Sequence, residues 1–299
     1  MAKTIGVVLS DRVAAGLVVD HQLPEPVTFF PTSEEDETAL VELHTDGLVK
    51  TICEQVKQVQ GKHKDIAAVG VAMPGLIRSG VVEDSPNLPQ LKGARMAELL
   101  STQLRTHGLE APVHILNDAD GVAAGLAAAQ GKLDSIIRVW TLGVGIGFGR
   151  YPFAPGVWEA GHSVVTLEDK ENYCGCGGRG HIEGVMGHRA MRLRFLDMEP
   201  EEVFAEAHKT DGRCRAFVKL WHKALAAGTA TSIHQDGPGK FLITGFNARF
   251  VDLAMLKEYI QQMVKMSPLQ SYTVDIVEDV PETRIVGAAV AAEHAAQLR

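Results

Sequence analysis

Cys174-Gly175-Cys176-Gly177-Gly178-Arg179-Gly180-His181-Ile182-Glu183, with Glu159-Ala160-Gly161-His162 a short way upstream, is the most informative stretch of the chain. Two thiols one residue apart, a glycine-rich turn and then a histidine make a compact set of soft ligands, and His162 adds a fourth. Zinc takes four such N and S ligands in tetrahedral geometry, with metal–sulfur distances of about 2.3 Å. Glycines suit a backbone that wraps an ion, because they reach conformations that cost residues with a Cβ. The competing reading is two buried free thiols beside a Gly-rich surface loop. The nearness of His162 and His181 in sequence favours the metal.

Around this stretch the chain is ordinary in composition. Its 299 residues are 45% hydrophobic and 22% charged, and the length suits two domains. A net charge of −8 argues against a nucleic-acid binder, which needs a basic face to meet phosphates. Four cysteines are no disulfide framework: Cys174 and Cys176 belong to the metal motif, and Cys53 and Cys214 read as buried thiols. No secretory signal precedes the first strand-like segment, and no apolar run reaches the length of a membrane span. The expectation is a soluble cytoplasmic protein.

The first 130 residues predict strands at 4–9, 14–19 and 27–31, a helix over 35–59, a buried strand at 65–73, a helix at 94–106, a strand at 113–116 and an alanine-rich helix at 121–130. Three meandering strands leading into β-α-β-α imply a mixed sheet with helices over it. Further on, strands are expected at 136–142, from 145, at 241–244 and at 273–277. Helices are expected near 201–228, at 253–266 and at 284–298.

Three segments could carry chemistry. Asn117-Asp118-Ala119-Asp120 falls at a strand end, where open α/β sheets collect ligands. A carboxylate there can take the proton of an attacking hydroxyl, or it can merely cap the helix that follows. Thr141-Leu142-Gly143-Val144-Gly145-Ile146-Gly147 spaces glycines by two after a strand, which suits either a phosphate-binding turn or a tight hairpin. Met73-Pro74-Gly75-Leu76 and Asp84-Ser85-Pro86-Asn87 read as two loops, with Asn87 either meeting a polyol or capping a turn.

In this order the segments resemble the ROK family of sugar kinases, sugar-responsive repressors and their relatives, over essentially the whole length. The CxCGxxGxxE segment is the most specific part of the likeness. The resemblance implies an α/β fold of two actin-like (ribonuclease-H-like) domains with a cleft between them. The first would span 1–118 plus the C-terminal helix from about 284 to 299, and the second, 119–283, would carry the zinc loop. It implies a sugar site of Gly75, Asn87, Asn117, Asp118, Glu159, His162 and Glu183, with Asp118 as general base. It implies structural Zn²⁺ held by His162, Cys174, Cys176 and His181, where the family usually has a third cysteine in place of His181. ATP with Mg²⁺ would meet Gly143, Gly145, Gly147 and Gly245.

Two expectations follow. One is an ATP-dependent kinase acting on a hexose or N-acetylhexosamine. The other is a non-catalytic sugar-binding sensor, because Val8, Ser10, Asp11 and Arg12 replace the family's first phosphate loop, Val144 replaces a threonine, and Thr244-Gly245-Phe246-Asn247 replaces a triple glycine. A DNA-binding repressor is disfavoured, since the chain opens in its first strand. The family resemblance also implies a dimer or tetramer, with a small sugar as ligand and neither nucleic acid nor membrane as partner.

Overall fold

A computed structural model of the chain describes residues 2–33, 38–133, 135–153, 159–209 and 211–297. It divides into two compact units. The first comprises Met1–Ser135, Gly149–Val157 and Val280–Arg299, and the second Ile136–Phe148 and Trp158–Asp279.

The first unit contains β1 (Lys3–Leu9), β2 (Val13–Val19), β3 (Thr28–Phe30), α1 (Ala39–Glu42), α2 (Thr45–Gln60), β4 (Ile66–Met73), β5 (Leu76–Arg78), β6 (Val81–Asp84), α3 (Met96–Thr106), β7 (Val113–Asn117) and α4 (Asp118–Ala129), joined by the C-terminal helix Pro281–Gln297. Its main sheet runs β3-β2-β1-β4-β7. β1 pairs antiparallel with β2, from Lys3 opposite Val19 to Leu9 opposite Val13, and parallel with β4. Successive side chains of a strand point to opposite faces. Accordingly Ile5, Val7 and Leu9 of β1 and Val69, Val71 and Met73 of β4 pack with Ile52 and Val56 of α2 and Leu100 of α3 in one apolar core. The other face carries glycine: a Cβ on Gly6 or Gly70 would run into the carbonyl oxygens of Ile285 and Ala288 on the C-terminal helix. That helix meets α4 in the same way, at Gly125 against Thr283 O and Gly287 against Gly121 O. This packing keeps α4 in the first unit, so the division falls later than the boundary expected after residue 118.

The second unit contains β8 (Ile137–Leu142), the start of β9 (Ile146–Tyr151), α5 (Ile182–Met186), α6 (His188–Arg194), α7 (Pro200–Ala207), α8 (Gly212–Asp236), β10 (Lys240–Thr244), α9 (Leu253–Met263) and β11 (Thr273–Ile276). The sheet order is β11-β10-β8-β9, with β10 parallel to both β8 and β11. Trp140 and Trp221 sit at the centre of a second core. Their indole N–H groups donate to Thr229 Oγ1 at 3.0 Å and to the Met186 carbonyl at 3.2 Å, so neither large ring leaves a buried donor unpaired.

Several expected elements are divided. The helix expected over 35–59 becomes α1 and α2, because Leu43 and His44 take extended backbone (ψ 133° and 162°); its first residues, 35–37, lie outside the described ones. The helix expected over 201–228 becomes α7 and α8, with Asp211 accepting from the backbone N–H of Arg213 and Cys214 to start the second. The stretch read as two loops around Gly75 holds the β5–β6 hairpin. No described helix is long and apolar enough to cross a membrane.

Candidate functional site

In the second unit a 3-10 turn, Ala160–His162, and the loop that follows are stitched together by backbone hydrogen bonds. Val165 N donates to Gly180 O at 2.8 Å and Ile182 N to Ser163 O at 3.0 Å. Gly177 and Gly180 hold φ of +82° and +69°, conformations that favour glycine, and Gly177 N closes a turn onto Cys174 O at 3.0 Å. This folding brings the four sequence-predicted ligands together. His162 Nδ1 lies 3.4 Å from Cys174 Sγ, the two sulfurs are 3.4 Å apart, and Cys176 Sγ is 3.3 Å from His181 Nδ1. All four donor atoms lie within 4.8 Å of one another. A zinc tetrahedron with bonds of about 2.0–2.3 Å has edges of about 3.3–3.8 Å, so the donor set fits that ion.

Burial pushes the Cys174 thiol up to about 12, with Cys176 and Glu183 adding to the effect, so its thiolate needs a cation beside it. The His181 pKa is lowered, by burial first and by His162 second. The loop is anchored from outside by residues that sequence reading missed. Glu171 is buried and forms an ion pair with Arg194 of α6, whose guanidinium lies 4.4 Å over the Tyr173 ring.

Glu183 opens α5 and joins this cluster to the turn between β8 and β9. Its Oε2 accepts from Ile146 N at 3.1 Å, and its Oε1 lies 3.4 Å from Cys174 Sγ. A Cβ on Gly145 would press on Glu183 Oε2, which explains the glycine there. Glu159 is exposed, with Oε2 3.9 Å from His162 Nε2, the imidazole nitrogen that does not face the cysteines.

The same turn carries the glycines read as a phosphate site. Gly143 N donates to Gly145 O at 3.0 Å, Gly143 O accepts from His188 N at 3.0 Å, and the backbone N–H groups of Val144 and Gly145 have no partner among the described residues. Gly147 already lies within β9. Gly245, at φ +95°, ends β10 against the backbone of Leu142. Beside the turn opens a cavity of about 710 Å³, whose lining includes Val144, His188, Arg189 and Leu193.

In the first unit, Asn117 ends β7 and caps α4. Its Oδ1 accepts from Ala119 N at 2.8 Å and its Nδ2 donates to Gly75 O at 2.9 Å. Gly75 holds φ +126° and is packed so closely on Ser85 that a side chain would not fit. Asp118 follows, its Oδ1 accepting from Ala119 N at 2.9 Å. The carboxyl pKa of Asp118 is raised by burial, against the opposing pull of Arg284 and of the Ala119 N–H. Asp120, the other candidate cap, instead accepts from Arg150 N at 3.0 Å. Asn87 is exposed on the segment after β6. The β1–β2 turn at Ser10–Arg12 closes with Ser10 N donating to Arg12 O at 3.0 Å, and the Arg12 guanidinium lies 4.1 Å over the Phe29 ring.

Arg284 was invisible to motif reading, although a cation in the first turn of a helix opposes the macrodipole and is in that sense out of place.

The chain is similar to several known proteins. Among curated proteins, a glucokinase of Pyrobaculum calidifontis is 28% identical over 212 residues, covering 66% of this chain and 68% of the relative. An N-acetylmannosamine kinase of Haemophilus influenzae is 29% identical over 171 residues, covering 53% and 55%. Among solved structures, a ROK hexokinase from Thermus thermophilus matches with a TM-score of 0.79 at 22% identity, covering 99% of this chain and all of that one. The α/β actin-like fold expected from the sequence is thus the fold of the chain. The ROK family model matches residues 33–294, and the chain belongs to the ROK family.

Proposed function

We propose that this protein is an ATP-dependent sugar kinase acting on a hexose or N-acetylhexosamine hydroxyl. The observation that carries the reading is the partly desolvated carboxyl of Asp118 at the carboxyl end of β7, held in a family whose curated relatives are named as glucokinases and N-acetylmannosamine kinases. A general base works best when its pKa is drawn from its ordinary value toward the working pH, and burial moves Asp118 in that direction. Asp118 would accept the proton of the sugar hydroxyl as that oxygen attacks the terminal phosphoryl group. Asn117, whose amide is already fixed by Gly75 and Ala119, would hold a neighbouring hydroxyl, with Gly75 and Asn87 on the same side of the ring.

In the second unit, Glu159, His162 Nε2 and Glu183 would hold sugar hydroxyls. Phosphoryl transfer depends on positioning and charge neutralisation more than on covalent help from the protein. The N–H groups of Val144 and Gly145, which have no partner among the described residues, would offer two donors to phosphate oxygens, with Gly143, Gly147 and Gly245 as the other glycines of the proposed ATP side. Mg²⁺ bound with ATP would supply the remaining neutralisation. Zinc on His162, Cys174, Cys176 and His181 would be structural: it would fix the loop that carries Glu159 and Glu183.

One observation favours a second reading, a sugar sensor without turnover. The β1–β2 turn carries Ser10, Asp11 and Arg12, and Arg12 is laid over Phe29. ADP release with ATP-Mg and a panel of hexoses and N-acetylhexosamines decides between the two. Turnover with at least one sugar supports the kinase. Sugar-induced thermal stabilisation without any nucleotide effect selects the sensor.

A further inference from the structure

The candidate metal cluster takes all of its sulfur from one tripeptide. Two of its four donors are imidazoles, His162 and His181, and the other two are the thiols of Cys174 and Cys176. The chain's remaining thiols, Cys53 on α2 and Cys214 on α8, are buried and belong to no such cluster among the described residues. The sulfurs of Cys174 and Cys176 lie 3.4 Å apart, in contact, and Gly175 between them leaves the backbone free to adjust.

The two thiols differ in access. Cys174 is only 5% exposed, whereas Cys176 is open to solvent, with its sulfur accepting from Gly178 N at 3.3 Å. Oxidation of cysteine follows exposure. An oxidant in solution therefore meets Cys176 first, and Cys174 lies behind it in place to resolve the product. The pair also touches the rest of the site. Glu183 Oε1 is 3.4 Å from Cys174 Sγ, and Glu183 Oε2 accepts from Ile146 N at 3.1 Å.

We propose that Cys174 and Cys176 form a peroxide-sensitive switch: a hydroperoxide joins them as a disulfide, the loop releases its zinc, and a dithiol reductant reverses the change. The proposal rests on the zinc reading of this cluster.

The Cys176 thiolate attacks one peroxide oxygen. The O–O bond breaks, hydroxide leaves, and the sulfur, oxidised by two electrons, becomes a sulfenic acid. The Cys174 thiolate then attacks that sulfur. An S–S bond forms, the S–OH bond breaks and a second hydroxide leaves. Two thiolates and one hydrogen peroxide thus become one disulfide and two hydroxides. The thiolates carry two negative charges as ligands and the disulfide carries none. His162 and His181 are left as two neutral donors, too few for a closed four-coordinate site. No third thiol stands in the cluster to keep the ion.

The test uses the full chain, purified with reductant and freed of it without air. It is titrated with hydrogen peroxide while a zinc-binding dye follows released metal. About one zinc per chain should appear as about one equivalent of peroxide is consumed. Denaturing mass spectrometry should find the chain about 2 Da lighter, with peptide mapping placing the link between Cys174 and Cys176. Dithiothreitol with added zinc should return both thiols and the metal.

Zinc retained with both thiols free in a large excess of peroxide overturns the proposal. So does a link through Cys53 or Cys214, or metal loss through a Cys176 sulfinic acid that dithiothreitol does not reverse. Each of these leaves the zinc reading standing. Zinc absent from the reduced wild type removes that reading and the proposal with it.

Discussion

Asp118 is a carboxyl group whose native pKa is raised, chiefly by burial. The native state then holds the Asp118 proton to a higher pH than the unfolded chain does. Above the native pKa the buried charge works against folding, and the burden lifts as pH falls through that value. Asp118→Asn keeps an oxygen for the Ala119 N–H and removes the charge. It should raise Tm at pH 7, a gain that shrinks under acid conditions. Scanning calorimetry at the two pH values checks this, and an unchanged or lower Tm at pH 7 would count against the burial argument. The metal ligands make a second expectation at this scale. Elemental analysis should find one zinc per chain, and Cys176→Ser should lose it together with several degrees of Tm, because metal bound only by the native state stabilises that state. Zinc near zero in the purified wild type would refute the ligand assignment.

At the scale of elements, glycine packing and one buried ion pair hold the two candidate regions in shape. The C-terminal helix approaches α4 and β4 through glycine, so Gly287→Ala would drive a Cβ into the Gly121 carbonyl. Overpacking of this kind costs about 1–3 kcal/mol, read as a lower urea midpoint. Gly212→Ala, where nothing lies within 4 Å, should be close to neutral. In the second unit, Arg194→Ala strands the buried Glu171 carboxylate beneath the metal loop and should cost about 3–5 kcal/mol. The double variant with Glu171→Gln should regain much of that loss, whereas additive losses would show that the pair does not matter.

The strands and the ligand motif could be read from the chain because their signals are local: apolar runs such as Val7-Val8-Leu9, and four soft ligands close together in sequence. The break at Leu43–His44 could not, because no proline marks it. The β5–β6 hairpin does carry a local mark, Ser79-Gly80 with both residues at positive φ (50° and 78°), but it lacks the stronger Asn-Gly signature. The Asn117 cap was hidden behind two other candidates: Asp118, which shares the Ala119 N–H with it, and Asp120, which accepts from Arg150 N. Arg284 and Glu171 act across long stretches of chain, and no spacing rule reaches that far.

At the scale of the whole molecule, the proposal gives each unit one part of a phosphoryl transfer: to the first the Asp118 carboxyl and its amide neighbour, and to the second the loop that gathers His162, Cys174, Cys176 and His181 and the turn between β8 and β9. The central claim is that Asp118 takes the proton of a sugar hydroxyl. Its most direct test is ADP release by wild type and by Asp118→Asn, with ATP-Mg and whichever hexose or N-acetylhexosamine the wild type turns over. Sugar binding is followed in parallel by calorimetry. The account predicts that kcat falls by about 10²–10⁴-fold in the variant, with the sugar Kd changed little. Turnover in Asp118→Asn equal to wild type would contradict it.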